Sequence, residues 1–269
     1  MAEILTWIDP SSVSTALDGS GNYTGIVGRK GLLGVPETFV EQDIPLSPGS
    51  RLRQVKTQNT EVQVPVLVKG ASESALITNI RTLRAAMNPL RGEGDLLYQA
   101  QDGTIRNLNC RLLQGFEGDE GDGNRGPGYI VLPLVFHAFD PYWYDQNNTT
   151  ATYTTFTAKT VVNNGDVEMW PQWSIHGPTT NLTITNTTTG KSMVFTLTLG
   201  ATDVLTIDTS PGVKTVLLNA VTNEYSAMSA TSALFSFPAL TTSTLNFTLA
   251  GTTGATAITL TYKQRWIGV

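Results

Sequence analysis

His137, His176 and Cys110 are the residues of this chain best suited to proton transfer, metal ligation or nucleophilic attack. Neither histidine has a second ligand at the spacing of a metal pair such as His-x-x-x-His. His137 lies in an apolar run beside Phe136 and Phe139, and His176 precedes a Gly-Pro turn. Cys110 alternates with Leu108 and Leu112, as a small core hydrophobe does, and a lone cysteine excludes an intrachain disulfide. Asp166 and Glu168 have the residue types of a glycosidase pair, which needs two carboxylates facing each other across a cleft. Two acids in one loop of a β domain read more simply as solvated charges. No Gly-x-Ser-x-Gly elbow and no phosphate-binding Gly-x-x-x-x-Gly-Lys-[Ser/Thr] loop occurs. The residues point to no catalytic, cofactor-binding or metal-binding set, and so to a protein that is not an enzyme and needs no cofactor.

Two further patterns invite chemistry. The segment Glu117–Gly128 carries Glu117, Asp119, Glu120 and Asp122 but no apolar residue. Its spacing lacks the alternating oxygens and distant bidentate Glu of an EF-hand loop, so a solvated or partner-contacting hairpin is expected. Six Asn-x-[Ser/Thr] sequons stand at Asn22, Asn147, Asn148, Asn181, Asn186 and Asn246. No secretion signal supports glycosylation, and a threonine-rich half generates sequons by chance.

The elements that would position any site change character at a seam, Phe139-Asp140-Pro141-Tyr142-Trp143-Tyr144-Asp145. Residues 1–144 hold 28 of the 39 charged residues and 9 of the 40 threonines; residues 145–269 hold the remainder. Such a step marks two modules, 1–144 and 145–269. The aromatic cluster Tyr142, Trp143 and Tyr144, with Asp140 and Pro141, is expected at the domain junction. A net charge of −5 and a pI near 5.0 argue against nucleic-acid binding. No stretch reaches the roughly 18–20 apolar residues that span a bilayer. Synthesis and folding in a reducing cytoplasm are expected.

In the first module, residues 1–60 read as short strands and loops, or as an arm that orders on a partner. Val62, Val64, Val66 and Val68 share one face of a period-2 strand over 61–69, with Pro65 implying an edge or a bulge. A helix over 72–88 follows, with Ser72 as cap and Leu76, Ile80, Leu83 and Met87 as a stripe that fits core packing or an oligomer interface. Strands at 95–101 and 104–114 join through Asp102-Gly103. A strand over 129–139 carries Pro133, again implying an edge or bulge. Beyond the seam the segments 150–162, 171–176, 181–186, 192–199, 203–208, 213–218, 232–237, 244–249 and 256–266 all read as β. Their spacing predicts an antiparallel sandwich or jelly roll. The fold class is mainly β, with one helix in the N-terminal module.

The chain resembles the distal tail proteins of bacteriophages with long, non-contractile tails. In the first half the resemblance rests on Gly31-Leu-Leu-Gly-Val-Pro36, the strand pair across Arg51–Lys69 and Leu83-Arg-Ala-Ala-Met-Asn-Pro89. The hairpin Leu96–Arg106 and the run into Tyr144 belong to the same set. In the second half it rests on Asn163-Asn-Gly165, Pro171-Gln-Trp-Ser-Ile-His-Gly177, Asn186-Thr-Thr-Thr-Gly190 and Leu205-Thr-Ile-Asp208. The family's late Gly-Asn pair is replaced by Pro238–Phe247.

The resemblance implies an N-terminal ring domain, a galectin-like C-terminal sandwich and a homohexameric ring in the virion, at the distal end of the tail. It implies tail tube, tape-measure and tail-tip hub proteins as partners, with receptor-binding or side-fibre proteins at the periphery. Strands 61–69 and 129–139 and the helix are then expected at the ring interface, through Glu61, Val62, Val64, Val66, Arg81, Arg84, Met87, Tyr129 and Val131. The competing reading is a carbohydrate-binding, lectin-like adhesion module, suggested by the sandwich.

Overall fold

The computed structural model describes every residue except 1–2, 20, 45–47 and 118–122. It is mainly β, with one α-helix among the described residues, as the periodicities predict. The chain divides into two compact units, Met1–Gln146 with Trp266–Val269, and Asn147–Arg265.

The first unit has one large antiparallel sheet with the helix Glu73–Ala86 packed on it. The main path runs Ser14–Ala16, Ile4–Ile8, Gly94–Gln99, Ile105–Gln114, Tyr129–Ala138, Thr60–Lys69 and Tyr23–Gly25. The valines of Thr60–Lys69 fall on the buried face because side chains alternate along a strand. Ser72 caps the helix, its Oγ accepting from the Ala75 N–H at 3.2 Å, and Leu76 and Leu83 bury the stripe. Trp7 donates its indole N–H to the Ala86 carbonyl at 2.9 Å, and Tyr23 donates to the Asn79 carbonyl at 3.0 Å. Gly70 makes the turn into the helix, where a Cβ would stand 2.3 Å from the Leu76 nitrogen.

Proline at 65 does not mark an edge. Thr60–Lys69 pairs along its whole length with Tyr129–Ala138, and its outer side is partly covered by Lys30 and by Tyr23–Gly25. Pro133 does lie near an irregularity, between Val135 and Phe136 in the pairing with Ile105–Gln114. The two strands read across Arg51–Lys69 also part company. Ser50–Thr57 turns back on Glu37–Asp43 to form a separate two-stranded sheet, while Thr60–Lys69 enters the main one.

The second unit is a sandwich. One sheet is ordered Thr149–Tyr153, Ala257–Tyr262, Gln172–His176, Val204–Asp208, Thr215–Leu218 and Thr222–Asn223. The other is ordered Lys159–Asn163, Thr241–Ala250, Thr179–Asn186 and Lys191–Leu199. Both contribute to one core around Trp173, whose ring lies 6.2 Å from those of Phe235, Phe237 and Phe247. The segment read as one strand over 150–162 is two strands in different sheets, broken at 154–158, where Ala158 takes φ +50. Residues 232–237 form no strand; Phe237 alone bridges Met169.

The last residues also depart from the sequence reading, which placed all of 145–269 together. Trp266–Val269 belong to the first unit. The Arg106 guanidinium stacks 4.1 Å from the Trp266 ring and donates to the Gly268 carbonyl. The Trp266 indole N–H donates to Asp145 at 2.8 Å, and the Val269 N–H donates to the Leu32 carbonyl at 3.0 Å.

Candidate functional site

The residue types that suggested chemistry are committed elsewhere. His137 places Nδ1 at 3.5 Å from Glu61 Oε1 and Nε2 at 3.4 Å from Asn59, with Phe139 edge-on at 4.9 Å. His176 is an exposed strand residue whose Nε2 lies 3.5 Å from Ser174 Oγ. Cys110 is wholly buried, and desolvation pushes its thiol far up, so it stays protonated. Glu168 accepts from Ser236 Oγ at 2.7 Å. No group of three or more metal-ligating side chains gathers among the described residues. Of the four carboxylates in Glu117–Gly128, Asp119, Glu120 and Asp122 lie outside the described residues. Glu117 accepts from the Gly115 N–H at 2.9 Å, and that bond is the main cause holding its carboxyl below the usual range.

The proposed interface residues separate into two groups. Val62, Val64, Val66 and Met87 are buried in the first unit's core, so they hold the fold and cannot be surface contacts. The reason is the alternation itself: the apolar face of that strand is needed against the helix and sheet, and only Glu61, Gln63, Pro65, Leu67 and Lys69 look away. Glu61, Arg81, Arg84 and Tyr129 are exposed, and Val131 is half-buried. At the seam, Trp143 is buried in the first unit's core, and its strand Trp143–Asp145 pairs with Ile105–Gln114. Tyr142 shares a hydrogen bond with Thr57 at 3.2 Å, and Tyr144 donates to Asp140. Asp140-Pro141 closes the strand Tyr129–Ala138, since proline cannot continue the ladder.

Two surface features remain. The first is the strand pair Glu37–Asp43 and Ser50–Thr57, which among the described residues pairs with no other strand and is exposed on both faces. Phe39 stands opposite Val55 on one face and Leu52 shares that face, with Phe39 57% and Leu52 54% exposed; Val40 lies on the other. The single-residue shift between Val40 and Glu41 pairs Leu52 with Glu41 and so puts it on Phe39's side. Its signal in the sequence is weak, because neither strand has a buried face and so neither alternates cleanly. The second is a cleft of about 520 Å³ between the helix's C-terminal half and the end of Ile105–Gln114. Arg81 and Arg84 line it, along with Leu90, Leu113 and Phe116.

The second unit matches the SPP1 Dit family model, described as the siphovirus-type tail component, C-terminal domain, over residues 164–266. The solved structures extend the likeness to the whole chain. The crystal structure of the SPP1 Dit protein, described as a hub adsorption apparatus paradigm for phages infecting Gram-positive hosts, is 15% identical. It aligns with a TM-score of 0.75 over 98% of this chain and 99% of that one. A chain of the phage P2 baseplate in its activated conformation with Ca is 10% identical, with a TM-score of 0.59 and full coverage of both chains. The same baseplate with Sr gives 10% identity, a TM-score of 0.58 and full coverage of both chains. No curated protein sequence matches. At these identities the structures show the fold; with the tail component domain they support a distal tail protein and a structural role in a phage tail.

Proposed function

We propose that the chain forms a homohexameric ring at the distal end of a long, non-contractile phage tail. The ring joins the tail tube and tape-measure end to the tail-tip hub and to host-recognition proteins. The first unit, residues 1–146 with 266–269, builds the ring, and the threonine-rich residues 147–265 carry docking proteins. The reading assigns the chain no catalytic step.

The observation that carries it is the exposed strand pair Glu37–Asp43 and Ser50–Thr57. An isolated two-stranded sheet is marginal in water, and this one presents Phe39, Leu52 and Val55 together on one exposed face. Cover from a neighbouring copy removes both liabilities. Heterologous contacts, each copy giving an arm and receiving one, close under cyclic symmetry. Six chains of 28.9 kDa weigh about 173 kDa, so mass photometry and negative-stain imaging of the purified chain should show six-fold rings of that mass. A species of about 87 kDa, or monomer alone, overturns the reading.

The lectin-like reading draws less support. Trp7, Trp143 and Trp173 are buried and Trp170 and Trp266 half-buried, which leaves no exposed indole to stack on a sugar.

A further inference from the structure

We infer that the cleft beside the helix's C-terminal half is the socket for the acidic strand of the arm of a second copy of this chain. The inference rests on the ring reading and names the contact that would close the ring.

The cleft has the makings of a docking site with a defined complement. Its walls are apolar where Leu90, 92% exposed, and Leu113, 53% exposed, stand at the mouth with Phe116 behind. Arg81 and Arg84 add two cations on exposed helix positions. Among the described residues neither guanidinium forms an ion pair or hydrogen bond. Glu117, the one acid of the lining among the described residues, accepts from the Gly115 N–H and feels the positive charge of Arg84 only as a minor influence. The cleft therefore suits an apolar side chain flanked by carboxylates, which the planar guanidinium fork grips well.

The arm supplies that pattern on one strand only. Glu37–Asp43 carries Glu37, Glu41 and Asp43 around Phe39 and Val40, with no cation. Its partner strand Ser50–Thr57 carries Arg51, Arg53 and Lys56, with no carboxylate. The negative outer edge of the strand pair is thus the edge that enters the cleft. One copy's arm fills the next copy's socket and leaves its own socket open to the copy behind, which is a head-to-tail contact.

Charge reversal tests this on the full-length chain. R81E with R84E makes the socket acidic, and E37R with E41R makes the arm basic. Each double variant alone should lose the ring and run at the 28.9 kDa monomer mass. Mixed one to one, the two should regain rings, because the acidic arm of one fits the basic socket of the other and the converse. All four positions are exposed, so the far-UV circular dichroism spectra should match wild type. Regained rings in the mixture separate a lost contact from a lost fold. Rings from either double variant alone overturn the socket and leave the ring standing. A mixture that stays monomeric overturns the charge pairing. A wild-type chain that stays monomeric overturns the ring reading and the socket with it.

Discussion

Pro65 and Pro133 stand directly opposite each other in the antiparallel pair Thr60–Lys69 and Tyr129–Ala138. Two residues without an N–H can face each other only where the ladder asks neither for one. Gln63 exchanges both its backbone bonds with Lys30, at 3.1 and 3.0 Å, and the Pro65 carbonyl accepts from Ile26 at 3.1 Å. Odd-numbered residues of this strand therefore turn their polar groups outward, and even-numbered ones bond across to Tyr129–Ala138.

This geometry separates two kinds of proline substitution. Pro65→Val or Pro133→Val should lower stability by about 0.4–1 kcal/mol, through the looser unfolded chain alone. Val64→Pro, one residue along, removes a ladder donor and a core side chain and should cost on the order of 3 kcal/mol or more. Urea unfolding followed by far-UV circular dichroism measures all three. Equal losses at positions 64 and 65 would contradict the outward turn of the proline.

The C-terminal residues give a second prediction. Arg106→Ala removes the stack on Trp266 and the bond to the Gly268 carbonyl, and should cost about 1–3 kcal/mol. Arg106→Lys should recover less than half of that, because an ammonium cannot lie flat on the indole while reaching the carbonyl. Equilibrium unfolding, with Trp266→Phe as reference for the fluorescence, reads the difference. Full recovery by lysine would show that charge rather than stacking holds the tail.

Acid sensitivity follows from Asp9. Its Oδ1 accepts from the N–H groups of Val13 and Ser11, both at 2.9 Å, and Oδ2 lies 3.0 Å from Arg91 Nη1. The Val13 N–H above all, then Ser11 and Arg91, hold the carboxyl below the ordinary aspartate value near 3.9, against the opposing effect of burial. A depressed folded value means that this stabilisation is complete above about pH 4 and is lost as pH falls through the folded value. Asp9→Asn should lower the urea midpoint at pH 7 and flatten its fall below about pH 4. A wild-type and variant pair with parallel acid limbs would remove Asp9 from the account.

The legible parts were those with a local cause. Ser72 followed by Leu76, Ile80, Leu83 and Met87 specifies a capped helix, and Glu73–Ala86 is where it forms. Asp102-Gly103 specifies a turn, and Gly103 takes φ +89 with Asp102 Oδ1 accepting from the Thr104 N–H at 2.8 Å. The surface was less legible. Val62, Val64 and Val66, expected at a ring interface, lie in the core instead, since alternation shows that a face is covered and not by what. The arm left no periodic trace, because neither of its faces is buried against this chain.

By itself the sequence determined the mainly β class, the single helix with its cap, the turn positions and the compositional break near Asp140-Pro141, because propensity, capping and side-chain alternation act over a few residues. Only the tertiary structure decided that Pro65 meets Pro133, that residues 150–162 divide between two sheets, that Trp266–Val269 return to Arg106 and Leu32, and that Arg81 and Arg84 open on an unfilled cleft. Each of these is a pairing between residues far apart in the chain, fixed by which surfaces the packed core leaves to meet.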